Sequence, residues 1–241
     1  MNKLIIGKSI INIDNNDDYF LEIDKDINVT VNVKENINAK LVIINNGNSL
    51  NIKINLYKDS NLIINSLNKD VNNNIEINLL EENSKIIYNH SVVSNNDSIT
   101  NYKINHLSSK TKSIINNNGV NLNNNRLYFN VDGIIKKNSK DVFIDQKNKI
   151  INIKNGDSKI IPNFIIDNNE IVANHSAYIG NFSYDDIFYI KSRGISEEEM
   201  YRLLYRSLLL GNMDLSFEQE IFNKILKEWR VLWIDKIFLC F

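Results

Sequence analysis

Cysteine is almost absent from this chain of 241 residues. Its one thiol, Cys240, stands next to the last residue, so neither an intrachain disulfide nor a zinc or iron-sulfur site made only of cysteines can form within one chain. Any metal chemistry must draw on histidine, carboxylates or a second polypeptide. Proline occurs once and glycine eight times, which excludes collagen-like and proline-rich linker chains. Charge of one sign is also missing: 28 Lys and Arg stand against 29 Asp and Glu, so no whole-chain field draws the protein to nucleic acid or an anionic membrane. No long apolar run occurs, because Asn, Lys or Asp interrupts every few residues, and the start lacks a basic segment followed by an apolar one. The expectation is a soluble, unprocessed, cytoplasmic protein. Gly-rich phosphate loops, a Gly-x-Ser-x-Gly elbow and His-Glu-x-x-His are absent, and His90, His106 and His175 lie far apart.

What the chain does have is asparagine and isoleucine, 45 and 41 of them. The asparagines crowd residues 1–181 and nearly vanish afterwards, where Glu, Leu, Arg and Tyr take over, which implies a structural boundary near Asn181. Before that boundary apolar residues alternate with polar ones, as in Val29, Val31, Val33 and again in Ile52, Ile54, Leu56 and Ile75, Ile77, Leu79. Period two predicts β-strands with one buried face. The strands recur at intervals of roughly ten residues or a small multiple, separated by Asn-Asn, Asn-Gly, Lys-Asp and Asn-Asp pairs. Asparagine tolerates the left-handed conformation, so scarce glycine does not forbid a turn-rich β domain. Regular alternation with little word repetition argues against an aggregation-prone disordered tract. Periodicity alone leaves sandwich, barrel and β-helix open.

After the boundary the period changes. Ser196 with Glu199 forms a capping box, and Met200, Leu203, Leu204 and Leu208 make one apolar stripe up to Gly211. A second start at Ser216 with Gln219 carries Phe222, Ile225, Leu226, Trp229 and Trp233. The chain is predicted to end in a helical pair, with the apolar tail 231–241 docked on that pair or on a partner.

Residues 161–211 read IPNFIIDNNEIVANHSAYIGNFSYDDIFYIKSRGISEEEMYRLLYRSLLLG. In that stretch Pro162, His175, Gly180, Asp186, Phe188, Tyr189, Ser192, Arg193, Gly194 and Ile195 stand in an order and spacing that resembles the SUF-type iron-sulfur cluster assembly scaffold family, the SufB/SufD proteins. HLSSKTKSIINNNGV, which starts at His106, and Asp145-Gln146 with the segment leading to Pro162 resemble the family's preceding coils. Two departures stand out. Lys147 occupies the place of the SufB-type cysteine, and Ser176 follows His175 where SufB-type members carry glutamate. The Cys often found shortly before the SufD-type histidine is also missing, with Ala173 and Asn174 in that neighbourhood. The best match is a short SufD-like member, which starts directly in strands without the N-terminal helical region of longer members.

The resemblance implies an all-β core, a right-handed parallel β-helix over 1–190, and a C-terminal helical domain over 191–241. It implies a non-catalytic subunit that pairs with a SufB-like subunit or with itself through the β-helix and docks a SufC-like ATPase through its helices. Arg193, Gly194, Ile195, Tyr201, Leu204, Tyr205 and Leu208 are the docking candidates, Tyr and Arg being favoured anchors. His175 is the candidate metal or cluster ligand, since neutral imidazole ligates iron, the thiolate coming from the partner. No stable cluster is expected on the isolated chain, only a transient one at a shared site. Structural alternatives are a hydrogen-bonded coil histidine at 175, a structural His106, and a Gly194 required for positive φ in the join. Readings of a different class are a β-helix hydrolase assembling Asp and Lys from successive coils, a β-helix carbohydrate-binding protein and a homo-oligomeric structural protein without an ATPase partner.

Overall fold

The computed structural model describes residues 2–3, 9–214 and 219–228. The described strands are all parallel and alternate between two sheets, so that the chain coils. One sheet holds β1 (Asn2–Lys3), β3 (Asp18–Ile23), β5 (Asn38–Asn46), β7 (Asn61–Lys69), β9 (Lys85–Ser94), β11 (Lys112–Asn121), β13 (Val142–Asn152) and β15 (Ile171–Gly180), in that order. The other holds β2 (Ile10–Ile13), β4 (Ile27–Val33), β6 (Leu50–Leu56), β8 (Asn72–Leu79), β10 (Ser98–His106), β12 (Arg126–Ile135) and β14 (Asp157–Ile166). This is a parallel β-helix, as the resemblance implied. Each coil's inward residues, such as Val31, Ile54, Ile77, Ile104 and Val131, are fully buried in one continuous apolar core.

The corners explain why so little glycine suffices. Asn36, Asp59, Asn83, Lys110 and Asp141 have φ between 54° and 60°, and each donates its N–H to the carbonyl at the corner of the next coil. Asn and Asp hold four of these five left-handed positions because their short polar side chains lower the cost of that conformation. Lys110 is the exception.

Asparagines at matched registers stack between coils. Asn51 donates to Asn28 at 2.7 Å, Asn74 to Asn51 at 2.7 Å, Asn101 to Asn74 at 2.9 Å and Asn130 to Asn101 at 2.7 Å. A second ladder runs Asn12, Asn32, Asn55, Asn78, Asn105, at 2.8–3.0 Å. Both lie on the outer face of the seven-stranded sheet, at alternate positions between buried apolar residues. A third, Asn65, Asn89, Asn116, belongs to the eight-stranded sheet and is buried.

The chain divides into two compact units, residues 1–179 and 180–241. The last described strand ends at Gly180, and α1 (Tyr184–Lys191) is a helix where the β-helix was expected to run to residue 190. Its cause is local: the Ser183 hydroxyl accepts the Asp186 N–H at 3.1 Å, and Asp185 and Asp186 fill the first turn, where carboxylates favour a helix. The Ser196 cap of α2 (Glu197–Leu210) forms as expected, with Glu199 N–H at 3.3 Å, and Gly211 follows the last turn. The buried stripe differs from expectation. Met200 is buried, but Tyr205, Leu209 and Leu210 join it, whereas Leu203 is 38% exposed. Of α3 (Gln219–Glu228), Phe222 and Leu226 are buried. The expected start at Ser216, and Trp229, Trp233, the tail 231–241 and Cys240, lie outside the described residues.

Candidate functional site

The β-helix stops abruptly. Among the described residues β14 pairs only with β12 and β15 only with β13, so the outer edge of the last coil has no described strand beside it. Large apolar residues of this coil are exposed: Ile161 and Ile165, at outer positions of β14 in register with Asn130 and Ile134, and Val172, Tyr178 and Ile179 of β15 are each 42–55% accessible. A core that ended here in contact with water alone would leave several large aliphatic groups hydrated.

His175 lies on β15 in this coil and is exposed. Its imidazole packs against the ring of Phe164 on β14, with centroids 5.2 Å apart and planes inclined at 41°. Phe164, Ile171 and Ala173 in turn pack on the buried cluster Ile135, Val142 and Ile144 of the coil below. Phe164 fits because its register partner is Gly133; a Cβ there would come within 2.9 Å of the Phe164 ring and 2.4 Å of Ile144. The imidazole is thus seated on a ring anchored in the core.

The side chains around it are telling. Lys147 is exposed and ion-paired with Asp145 at 3.2 Å. Ser176 is exposed, and its backbone carbonyl accepts from the Asn148 amide at 3.2 Å. Neither supplies a thiolate or a carboxylate to His175. Gln146 is fully buried beneath this coil, and among the described residues neither polar atom of its carboxamide has a hydrogen-bond partner.

The other two histidines are elsewhere and of another kind. His106 is buried, with Nδ1 2.7 Å from the Thr111 hydroxyl and Nε2 2.8 Å from that of Ser113. His90 is buried among Tyr88, Tyr102 and Phe129, with Nδ1 3.1 Å from the Asn68 amide and Nε2 3.2 Å from the Thr100 hydroxyl. Loss of hydration pulls both imidazoles down to about 3, so both are neutral structural groups at ordinary pH. Among the described residues no three His, Cys, Asp or Glu side chains come together as a metal site. His175 therefore offers a single nitrogen.

In the helical unit, Arg193 stacks its guanidinium 4.4 Å from the Tyr189 ring centre and donates to the Tyr189 hydroxyl. Gly194 has φ +76°, and Ile195 is half-buried. Tyr201 stacks on Tyr205 with centroids 6.0 Å apart; Tyr205 is buried against Phe182, while Leu204 and Leu208 are half-buried. Tyr184 and Phe188 of α1, stacked 6.2 Å apart, are 77% and 61% exposed. Sequence reasoning did not single out Phe164, Tyr184 or Phe182; for Phe164 only the glycine opposite it in register marks the place, and register is not visible in one chain.

The last coil of the β-helix thus carries exposed apolar side chains and a single imidazole seated on Phe164. Residues 25–208 match the model of the SUF system FeS cluster assembly, SufBD core domain, and the chain belongs to that family. A segment of 47 residues is 47% identical to an iron-sulfur cluster assembly SufBD family protein of Mycobacterium leprae (strain TN). That segment covers 19% of this chain and 12% of the relative, so the likeness spans a small part of the curated protein's length. Among the described residues no helix is long and apolar enough to cross a membrane.

Proposed function

We propose that this chain is a SufD-like, non-catalytic subunit of the SUF assembly scaffold. It pairs through its open last coil with a SufB-like subunit, or with a second copy, and docks a SufC-like ATPase through its C-terminal helices. The observation that carries this reading is the substitution pattern on two successive coils: Lys147 on β13 is paired with Asp145, and on β15 Ser176 follows His175, which is left as the metal-ligating side chain there. A SufB-type site needs a thiolate and a carboxylate at those places; a SufD-type subunit needs the imidazole. Iron-sulfur cluster is then cargo, held between His175 and thiolates of the partner, since one nitrogen is too few ligands. Pairing also covers the exposed Ile165, Val172 and Ile179 and completes the sheet edges.

For the ATPase, Tyr201, Leu204 and Leu208 supply contact surface, and Tyr205 acts by backing the Tyr201 ring. Arg193, Gly194 and Ile195 set the join from which that helix starts. The test is affinity capture of the tagged chain, coexpressed with a SufB-like subunit and a SufC-like ATPase, followed by anaerobic assembly. Stoichiometric recovery of both partners is expected. Capture of neither, from a folded chain, refutes the reading.

A further inference from the structure

The outer face of the seven-stranded sheet carries a feature that this reading does not use. A groove of about 700 Å³ runs across β4, β6, β8 and β10, between the Asn28, Asn51, Asn74, Asn101 ladder and a parallel row of side chains. In register from coil to coil, that row is Thr30, Lys53, Glu76, Lys103 and Asp132. Its charges alternate strictly in sign. Lys53 pairs with Glu76 at 3.3 Å, and Asp132 accepts from the Asn163 amide at 3.2 Å. Lys103 makes no ion pair with either flanking carboxylate among the described residues, although both stand in register beside it.

Mixed sign excludes a polyanion or an anionic surface as the occupant, because each attractive charge is followed by a repulsive one about 4.8 Å away. A saccharide is disfavoured as well: the one aromatic residue lining the groove, Tyr102, is 3% exposed and offers no stacking platform. The pattern does match itself. Reversed about a two-fold axis parallel to the strands and midway between β8 and β10, the row sets Glu76 opposite Lys103 of a second copy, Lys103 opposite Glu76, and Lys53 opposite Asp132. The same operation sets Asn74 opposite Asn101, where each ladder amide keeps one N–H and one lone pair for a partner. Self-complementarity under a two-fold is what an isologous contact requires.

We propose that the outer face of the seven-stranded sheet is a second self-association surface, which joins two copies of this chain face to face. Five strands about 4.8 Å apart, with three outward side chains along each at about 6.8 Å, make a face on the order of 500 Å² per copy. That is below the roughly 800 Å² per partner of a standard stable interface, so the contact is weak and its polar grooves stay hydrated. Its attraction comes from alternating charge across a hydrated contact, so it weakens with salt.

The test uses the full chain with its last coil blocked by Ile165→Lys and Val172→Lys, so that pairing through the open end cannot contribute. Sedimentation at about 0.02 M and about 0.5 M salt is expected to show dimerisation that weakens about tenfold or more at the higher salt. Lys53→Glu with Lys103→Glu makes the row acidic; Glu76→Lys with Asp132→Lys makes it basic. Each is expected to be monomeric alone, and a one-to-one mixture to dimerise again. A mixture that stays monomeric, or an acidic variant that dimerises like its parent, overturns the proposal. Circular dichroism checks that each variant folds; if a double variant does not, Lys103→Glu and Glu76→Lys serve as the mixed pair. None of these four charged residues lies in the last coil or the helices, so capture of the SufB-like and SufC-like partners reports on the earlier reading separately.

Discussion

The imidazole of His175 rests on the ring of Phe164 at 5.2 Å, and Phe164 rests on the buried Ile135, Val142, Ile144 cluster. A side chain that would otherwise swing freely is thereby oriented by the core of the β-helix.

His175→Ala is expected to leave the fold intact, because the side chain is exposed and surface truncations usually move stability by less than about 0.5 kcal/mol. Cluster assembly by the complex with a SufB-like subunit and ATPase is expected to fall. Paired measurement of thermal stability and of assembled iron and sulfide checks this; full assembly by a stable mutant removes the imidazole's role.

The asparagine ladders differ in weight according to burial. Asn89 donates to Asn65 at 2.9 Å and accepts from Asn116 at 2.8 Å at a site only 4% exposed, so Asn89→Ala is expected to cost about 2–4 kcal/mol. Asn74 makes the same two bonds on an exposed face, where water replaces them, and Asn74→Ala is expected to cost about 1 kcal/mol or less. Urea unfolding of the two variants gives the comparison.

Acid stability is expected to report the two buried histidines. His90 and His106 are held near 3 in the folded chain against 6.5 in the unfolded one, so unfolded chains bind protons first. Their contribution is complete above pH 6.5 and is lost as pH falls towards 3. Between those values the two groups steepen the pH dependence by about 2.7 kcal/mol per pH unit. Replacing His106 by Gln should roughly halve that slope in a series of melts between pH 6 and pH 4; an unchanged slope counts against it.

Gly194 joins α1 to α2 at φ +76°, with no atom within 4 Å of the place a Cβ would take. The penalty for Gly194→Ala is therefore backbone strain alone, about 1–2 kcal/mol, and Gly194→Asn should cost less. Helical ellipticity on heating is the measure.

Much of the β-helix was legible residue by residue. Val29, Val31 and Val33, or Ile52, Ile54 and Leu56, announce a buried face because a strand's side chains alternate with period two. Scarce glycine was rightly no obstacle to corners, because asparagine accepts φ near 60°, as Asn36 and Asn83 do. α1 shows the limit of that approach: Ile187, Phe188, Tyr189 and Ile190 suit a strand, and the Ser183 cap with two first-turn aspartates decides for helix. On α2, leucines and tyrosines surround nearly the whole circumference, so period alone could not choose between a stripe through Leu203 and Leu204 and the one through Tyr205, Leu209 and Leu210 that is buried.

The sequence by itself determined the alternating strands, the Ser196 cap and, through the order of residues from Pro162 to Ile195, the family. It also showed Lys147 and Ser176 at the places where the resemblance would put a SufB-type cysteine and glutamate, since identity at a position needs no coordinates. Only the tertiary structure decided which residues from different coils meet. Phe164 reaches His175, Gly133 makes room for Phe164, and Lys53, Glu76, Lys103 and Asp132 form one row, across sequence separations of 11 to 31 residues. Those contacts depend on coil length and register, and a single residue more in any corner would shift every partner by one position and turn inward side chains outward.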